Sequence, residues 1–214
     1  MALFGGRTGS SGGNSGAVRT SRHSSGWAQM QKHFRARESL RLLDIGPTSA
    51  GNINFITNLG HSIYMANLVE DAARPEYHVV EALGPNAGKV TYDIPRFLSE
   101  NLDFSGRGFD VVTLWDTVDY LPDALVVPVL NRIFEVLEPG GQLLAFFHSK
   151  TTGVDTSFSR YHLTTTDQLE IQKIGVHPIL HTYTTREVET LFKHFASHKF
   201  FLAKDTLREV IVIR

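Results

Sequence analysis

The chain has 214 residues, a length that accommodates one domain of ordinary size with an attached tail. Its 21 basic and 22 acidic side chains leave a formal charge of -1, so no global field draws nucleic acid or an anionic membrane, and 42% hydrophobic residues suffice for a core. The absence of cysteine excludes disulfides, cysteine zinc sites and cysteine nucleophiles, and no apolar run approaches the ~20 residues of a membrane span. With an N-terminus that lacks the apolar core of a signal peptide, these features predict a soluble, cytoplasmic protein.

Residues 1–26 are dominated by Gly and Ser, which bury too little apolar surface to offset the entropy of ordering them. They read as a disordered leader, mildly basic through Arg7, Arg19 and Arg22, ahead of a domain over 27–214. Trp27, Met30 and Phe34 fall at helical spacing. Leu40, Leu42, Leu43 and Ile45 then form a short apolar run suited to a strand covered on both faces, which Gly46 and Pro47 stop. A helix from about Ala50–Asn52 carries Ile53, Ile56 and Leu59 inward and ends at Gly60. The run HSIYMANL predicts a second strand, whereas 69–92 is broken by Pro75, Gly84, Pro85 and Gly88 and predicts no long element.

A helix follows around Pro95–Asn101, then FDVVTLWD as another buried strand. Pro122 and Asp123 open a helix whose Val126, Leu130, Ile133, Phe134 and Leu137 recur at spacings of three and four, with Pro128 as its weak point. The turn EPGG at 138–141 leads into the strand QLLAFF. Residues 149–183 form an inserted hairpin or lid, and an exposed hairpin at 157–174 offers an edge to another subunit, a homodimer. Thr184 and Glu187 make a capping box for a last helix with Val188, Leu191, Phe192 and Phe195 inward, before KFFLAK and REVIVIR close the chain as an antiparallel hairpin. Alternation of this kind specifies an α/β fold: a Rossmann-like three-layer sandwich, mostly parallel, with a terminal antiparallel hairpin.

Ligands of open parallel sheets bind beyond the carboxyl ends of the strands, where the strand order reverses. The segment Asp44–Asn52 sits at such an end: Gly46 permits close backbone approach, and amides near Ala50–Asn52 face a helix start. Asp44 suits a ligand with ammonium, sulfonium or hydroxyl groups better than a pyrophosphate, because like charges repel. No P-loop, serine-hydrolase elbow or G-x-G-x-x-G follows a strand, and Pro178 between His177 and His181 argues against a metal pair, so no metal is expected. The aromatic and lysine residues of 192–204 are better explained as core than as a nucleic-acid surface.

LLDIGPTSAG, FDVVTLWDTVDYLPD, LEPGGQLLAFF and the closing REVIVIR together resemble the class I S-adenosylmethionine-dependent methyltransferases, over roughly 38–148 and the final hairpin, with a divergent first motif in which Pro47 and Thr48 interrupt the usual glycines. The resemblance implies a methyltransferase that uses S-adenosylmethionine as cofactor, with an acceptor it does not identify. It places Asp44, Ile45, Gly46, Pro47 and Gly51 at the amino acid end of the cofactor, and Trp115 and Asp116 at the border of the pocket. Asn67 stands where the family offers a carboxylate to the ribose hydroxyls, unless Glu70 or Asp71 takes that part, and Asp103 is the candidate for the adenine amine, or else a solvated loop aspartate. Because an in-line methyl transfer depends largely on positioning, no acid-base dyad is required, so the catalytic residues stay unassigned. Where a base serves, His148 is the best placed, with Tyr120 behind it and Lys150 and Tyr161 on the acceptor side. The rival reading is a noncatalytic ligand-binding or assembly protein on the same fold, motivated by Pro47, Thr48 and Asn67.

Overall fold

A computed structural model describes residues 18–80, 88, 90–150, 157–201 and 205–214. The elements in chain order are β1 (Arg19–His23), α1 (Ser25–Arg35), β2 (Arg41–Ile45), α2 (Ala50–Asn58), β3 (Ser62–Ala66) and α3 (Leu68–Ala72). A short 3-10 turn at Pro75–Tyr77 leads to β4 (His78–Val80), β5 (Val90–Tyr92), α4 (Ile94–Asn101), β6 (Phe109–Trp115), α5 (Thr117–Tyr120), α6 (Asp123–Val136) and β7 (Leu137–His148). The chain ends with β8 (Ser157–His162), β9 (Gln168–Val176), α7 (Thr185–Leu191), β10 (Ser197–Phe201) and β11 (Leu207–Ile213). None of the described helices is long and apolar enough to cross a membrane.

The central sheet has the order β10-β11-β7-β6-β2-β3, with β3, β2, β6 and β7 parallel and β11 reversed against both of its neighbours. Side chains alternate between its faces, as the period of a strand requires. Leu43, Ile45, Val112, Leu114, Leu143, Ala145 and Phe147 point into a core shared with α3, α4, α6 and α7. Leu42, Val111, Trp115, Leu144, Phe146 and Ile211 point the other way, against Trp27, Met30 and Phe34 of α1 and Ile56 of α2. Gly26 is what lets α1 lie so close: a Cβ there would stand 2.7 Å from Leu144 Cδ1.

Composition misassigned the end of the leader. Residues 1–17 and Arg7 lie outside the described residues, but 19–26 are ordered: β1 pairs with β9 along its whole length, and Ser24 caps α1 by accepting from the Trp27 amide. A charged residue overrides the weak local propensity. Arg22, only 8% exposed, donates to Glu209 Oε1 at 2.5 Å, to both oxygens of Asp205 and to the Leu207 carbonyl, stitching β1 to β11. Because β1 and β8 flank β9, the hairpin expected to pair with another subunit has one edge already covered by its own chain.

The EPGG segment differs as well. It lies inside β7 as an irregularity: Phe109 faces Leu137 but Val111 faces Gln142, and Gly140 takes φ +78 while its amide donates to the Arg214 carbonyl. At the far end Thr184 and Glu187 exchange both bonds of a capping box, fixing the start of α7 so that Val188 and Phe192 are fully buried.

Candidate functional site

The chain leaves β2 for β3 on one side and later returns to β6 on the other, so the strand order reverses between β2 and β6. Crevices of open parallel sheets lie at the carboxyl ends at such a point. Here those ends carry Asp44, Ile45 and Gly46 on β2 and Trp115 and Asp116 on β6.

Asp44 does not face a crevice. It is 2% exposed and accepts from Thr113 Oγ1 at 2.7 Å, from the Trp115 indole N–H at 2.7 Å and from Thr48 Oγ1. Burial raises its pKa, and the hydrogen bonds it accepts oppose that rise without cancelling it. Trp115 takes a left-handed φ of +47, unusual for a bulky residue, at a register irregularity between β6 and β7. That backbone turn lays the indole over Gly46, where a Cβ would meet Trp115 Cδ1 at 3.1 Å, and stacks it on Tyr161 with centroids 5.0 Å apart and planes 10° from parallel. The protein's own aromatic side chains thus occupy the space above the switch point.

The placement of Tyr161 originates in α2. Ser49 caps that helix by accepting from the Asn52 amide, and buried Asn52 then donates to the Tyr161 carbonyl at 2.8 Å and accepts from the Leu163 amide at 2.9 Å, clamping β8 over the sheet. Tyr161 Oη in turn donates to Asp116 Oδ2 at 2.9 Å. Burial pushes the Asp116 carboxyl up to about 6, with the neighbouring Asp119 adding to the rise and His148 and the Tyr161 bond opposing it.

Folded Asp116 therefore keeps its proton to a higher pH than an unfolded aspartate, and between about pH 4 and 6 the native state binds more protons. Stability contributed by this group is present below that window and is lost as pH rises through it, by roughly 3 kcal/mol at about 1.4 kcal/mol per pH unit. Asp116→Asn keeps an acceptor for Tyr161 and no longer titrates. Urea unfolding at pH 4 and pH 7 is expected to show a smaller loss of stability in the variant than in the wild type.

An open crevice of about 300 Å³ lies one strand over, between the carboxyl ends of β2 and β3. Gly46, Pro47, Thr48, Asn67, Glu70 and Arg160 are among its walls. Asn67 is the first residue after β3; its side chain does not cap α3, and its Oδ1 is buried without a partner. A buried acceptor left open costs free energy comparable to a lost hydrogen bond, so this atom asks for a donor. Arg160 Nε donates to the Pro47 carbonyl at 3.3 Å, placing a guanidinium at the mouth.

Of the residues singled out from the sequence, Gly46, Pro47 and Asn67 meet in this crevice, and Asp44, Trp115 and Asp116 are buried beside it. Gly51 is exposed on a separate groove that shares Arg160, and Ile45 is buried in the core, its carbonyl accepting from Thr117 Oγ1. Asp103 is at the wrong end of the sheet. It sits in the turn that enters β6 at its amino end, exposed, with its carboxylate accepting from the Ser105 amide. Helix α4 between β5 and that turn carries it there.

Two residues were missed altogether. Arg160 lies in β8, far along the chain, with no motif to mark it. Asp119 on α5 is fully buried and holds His148 twice, accepting from its main-chain N–H at 2.6 Å and pairing with Nδ1 at 2.8 Å. The only sequence signal was the repeated acid in WDTVD.

No protein-family model matches the chain, and no curated protein matches it. Among solved structures it is similar to a SAM-dependent methyltransferase from Methanosarcina mazei, with 17% identity over 86% of this chain and 96% of that one and a TM-score of 0.49. A TehB-like SAM-dependent methyltransferase from Corynebacterium glutamicum aligns with 11% identity over 88% and 87%, TM-score 0.47. The glycopeptide N-methyltransferase MtfA, complexed with S-adenosylhomocysteine, aligns with 15% identity over 88% of each chain, TM-score 0.43.

Proposed function

We propose that the chain is a methyltransferase that binds S-adenosylmethionine in the crevice between β2 and β3. The observation that carries this reading is Asn67, whose buried, unpartnered Oδ1 stands beside Glu70 at the carboxyl end of β3. An amide oxygen and a carboxylate at that point suit the two hydroxyls of a ribose, both of them donors. Arg160 offers its guanidinium to a carboxylate in the same crevice, which Gly46 also lines. The residues present therefore fit the nucleoside and carboxylate ends of the cofactor. They do not offer Asp44 to its ammonium, because that carboxylate already takes three side-chain donors.

Bound in this way, the sulfonium supplies an electrophilic methyl group, and the work left to the chain is to orient the donor and exclude water. Glu70 and Asn67 set the depth of the nucleoside, and Arg160 sets its tail.

Calorimetric titration with S-adenosylhomocysteine tests the reading. The wild type is expected to bind, and Asn67→Ala and Glu70→Ala are each expected to weaken binding about tenfold, near 1.4 kcal/mol, with little change in melting temperature. A folded wild type that takes up no S-adenosylhomocysteine overturns it. One observation favours a second reading in that event: with Trp115 over Gly46 and Asp44 satisfied from within, the chain is built as a noncatalytic binding or assembly protein on this fold.

A further inference from the structure

We propose that the crevice between β1 and β11 is a binding site for an uncharged, hydroxyl-bearing ligand whose O–H donates to Nε2 of His148. This crevice, about 670 Å³, falls within the volume range of small-molecule sites and is separate from the one at Asn67. His148, at the last position of β7, is one of its lining residues. Asp119 accepts from the His148 amide and pairs with Nδ1, which places the ring proton on Nδ1 and leaves the lone pair on Nε2 as the nitrogen available to the crevice. A lone pair at that point calls for a donor, so a hydroxyl fits and a carbonyl does not.

The charges around the crevice decide against an anion. Among the described residues Arg22 is its one buried cation, and that guanidinium already serves Asp205, Glu209 and the Leu207 carbonyl. Two carboxylates thus face one guanidinium, with Asp116 and Asp119 behind His148. A phosphate or carboxylate entering here would meet net negative charge and find no unspent donor fork. Ile171 and Leu207 add apolar wall, which suits a ring or a short chain carrying the hydroxyl. Burial works against the imidazolium of His148, but the Asp119 bond and the charges of Asp116, Asp119 and Asp205 outweigh it, so its pKa is raised.

The site goes beyond the methyltransferase reading and does not rest on it, since the two crevices share no wall. Asp119 is a positioning residue, acting through His148.

The test is nitrogen NMR on protein labelled at histidine, at a pH above the titration of the ring followed on the same signals, with the His148 signals assigned from His148→Gln. Phenol and anisole, the same ring with and without the donor, are the probes. Phenol is expected to shift the Nε2 resonance in a saturable way, and anisole to bind about tenfold more weakly. Asp119→Asn is expected to stay folded by circular dichroism, to show mixed ring tautomers and to weaken the phenol response. No Nε2 shift with phenol in the folded wild type, or equal binding of anisole, overturns the proposal. The S-adenosylhomocysteine titration is independent of these signals, so its failure removes the cofactor reading and leaves this site standing.

Discussion

Arg22→Ala is expected to lower stability by about 3–5 kcal/mol, because removing one partner of a buried pair leaves the other charge desolvated and uncompensated. Among the described residues Glu209, 2% exposed, would retain only the Ser24 hydroxyl and the Gly26 amide as donors. The loss should unzip β1 from β11 and with it the seat of α1, so urea unfolding is expected to show a lower midpoint, and proteolysis a new susceptible segment near residues 19–26. Added salt should change the effect little, since buried charges are poorly screened. Three residues earlier on the same strand, Arg19 pairs with Glu170 at 2.9 Å with both side chains about half exposed. Arg19→Ala is therefore expected to cost less than about 1 kcal/mol. Equal losses for the two variants would show that β1 is held by its backbone pairing alone.

Asp44→Ala is expected to be a stability variant first. The resemblance to methyltransferases casts Asp44 as a ligand contact, whose loss should touch affinity far more than folding. The geometry reverses that order. Truncation strands the Thr113 hydroxyl and the Trp115 N–H in a buried site, at about 1–3 kcal/mol each. A loss on the order of 4 kcal/mol is expected, visible as a fall in the urea midpoint. Asp44→Asn keeps one acceptor oxygen and should cost about half as much. A variant that melts like the wild type yet binds S-adenosylhomocysteine more weakly would restore Asp44 to the ligand.

Legibility followed the range of the interaction. Strands β2, β6 and β7 and helix α6 announced themselves through apolar runs and spacings within a dozen residues, and α7 through a cap three residues wide. The leader's end at residue 26 was misjudged because what orders β1 is a partner 187 positions away. EPGG reads as a turn because its Pro and Gly break local propensity, whereas the reversed β11 holds those residues in a distorted strand through the Gly140 and Arg214 bonds. In the site, Gly46 and Asn67 were legible as the residues that follow β2 and β3, since a parallel sheet places every strand's carboxyl end at one rim. Asp103 failed for the same reason: residues entering a strand lie at the opposite rim from those leaving it.

The sequence by itself determined the alternation of strands and helices, and hence a mostly parallel sheet whose strands end at one rim, because hydrophobic period and short connections are local properties of the chain. Only the tertiary structure decided what the rim's side chains do. Whether Asp44 faces a ligand or the indole of Trp115, and whether His148 is a loose strand end or a ring held by Asp119, depends on which groups burial forces together. A buried polar group must find its partner wherever the fold places one, and separation along the chain does not limit that choice.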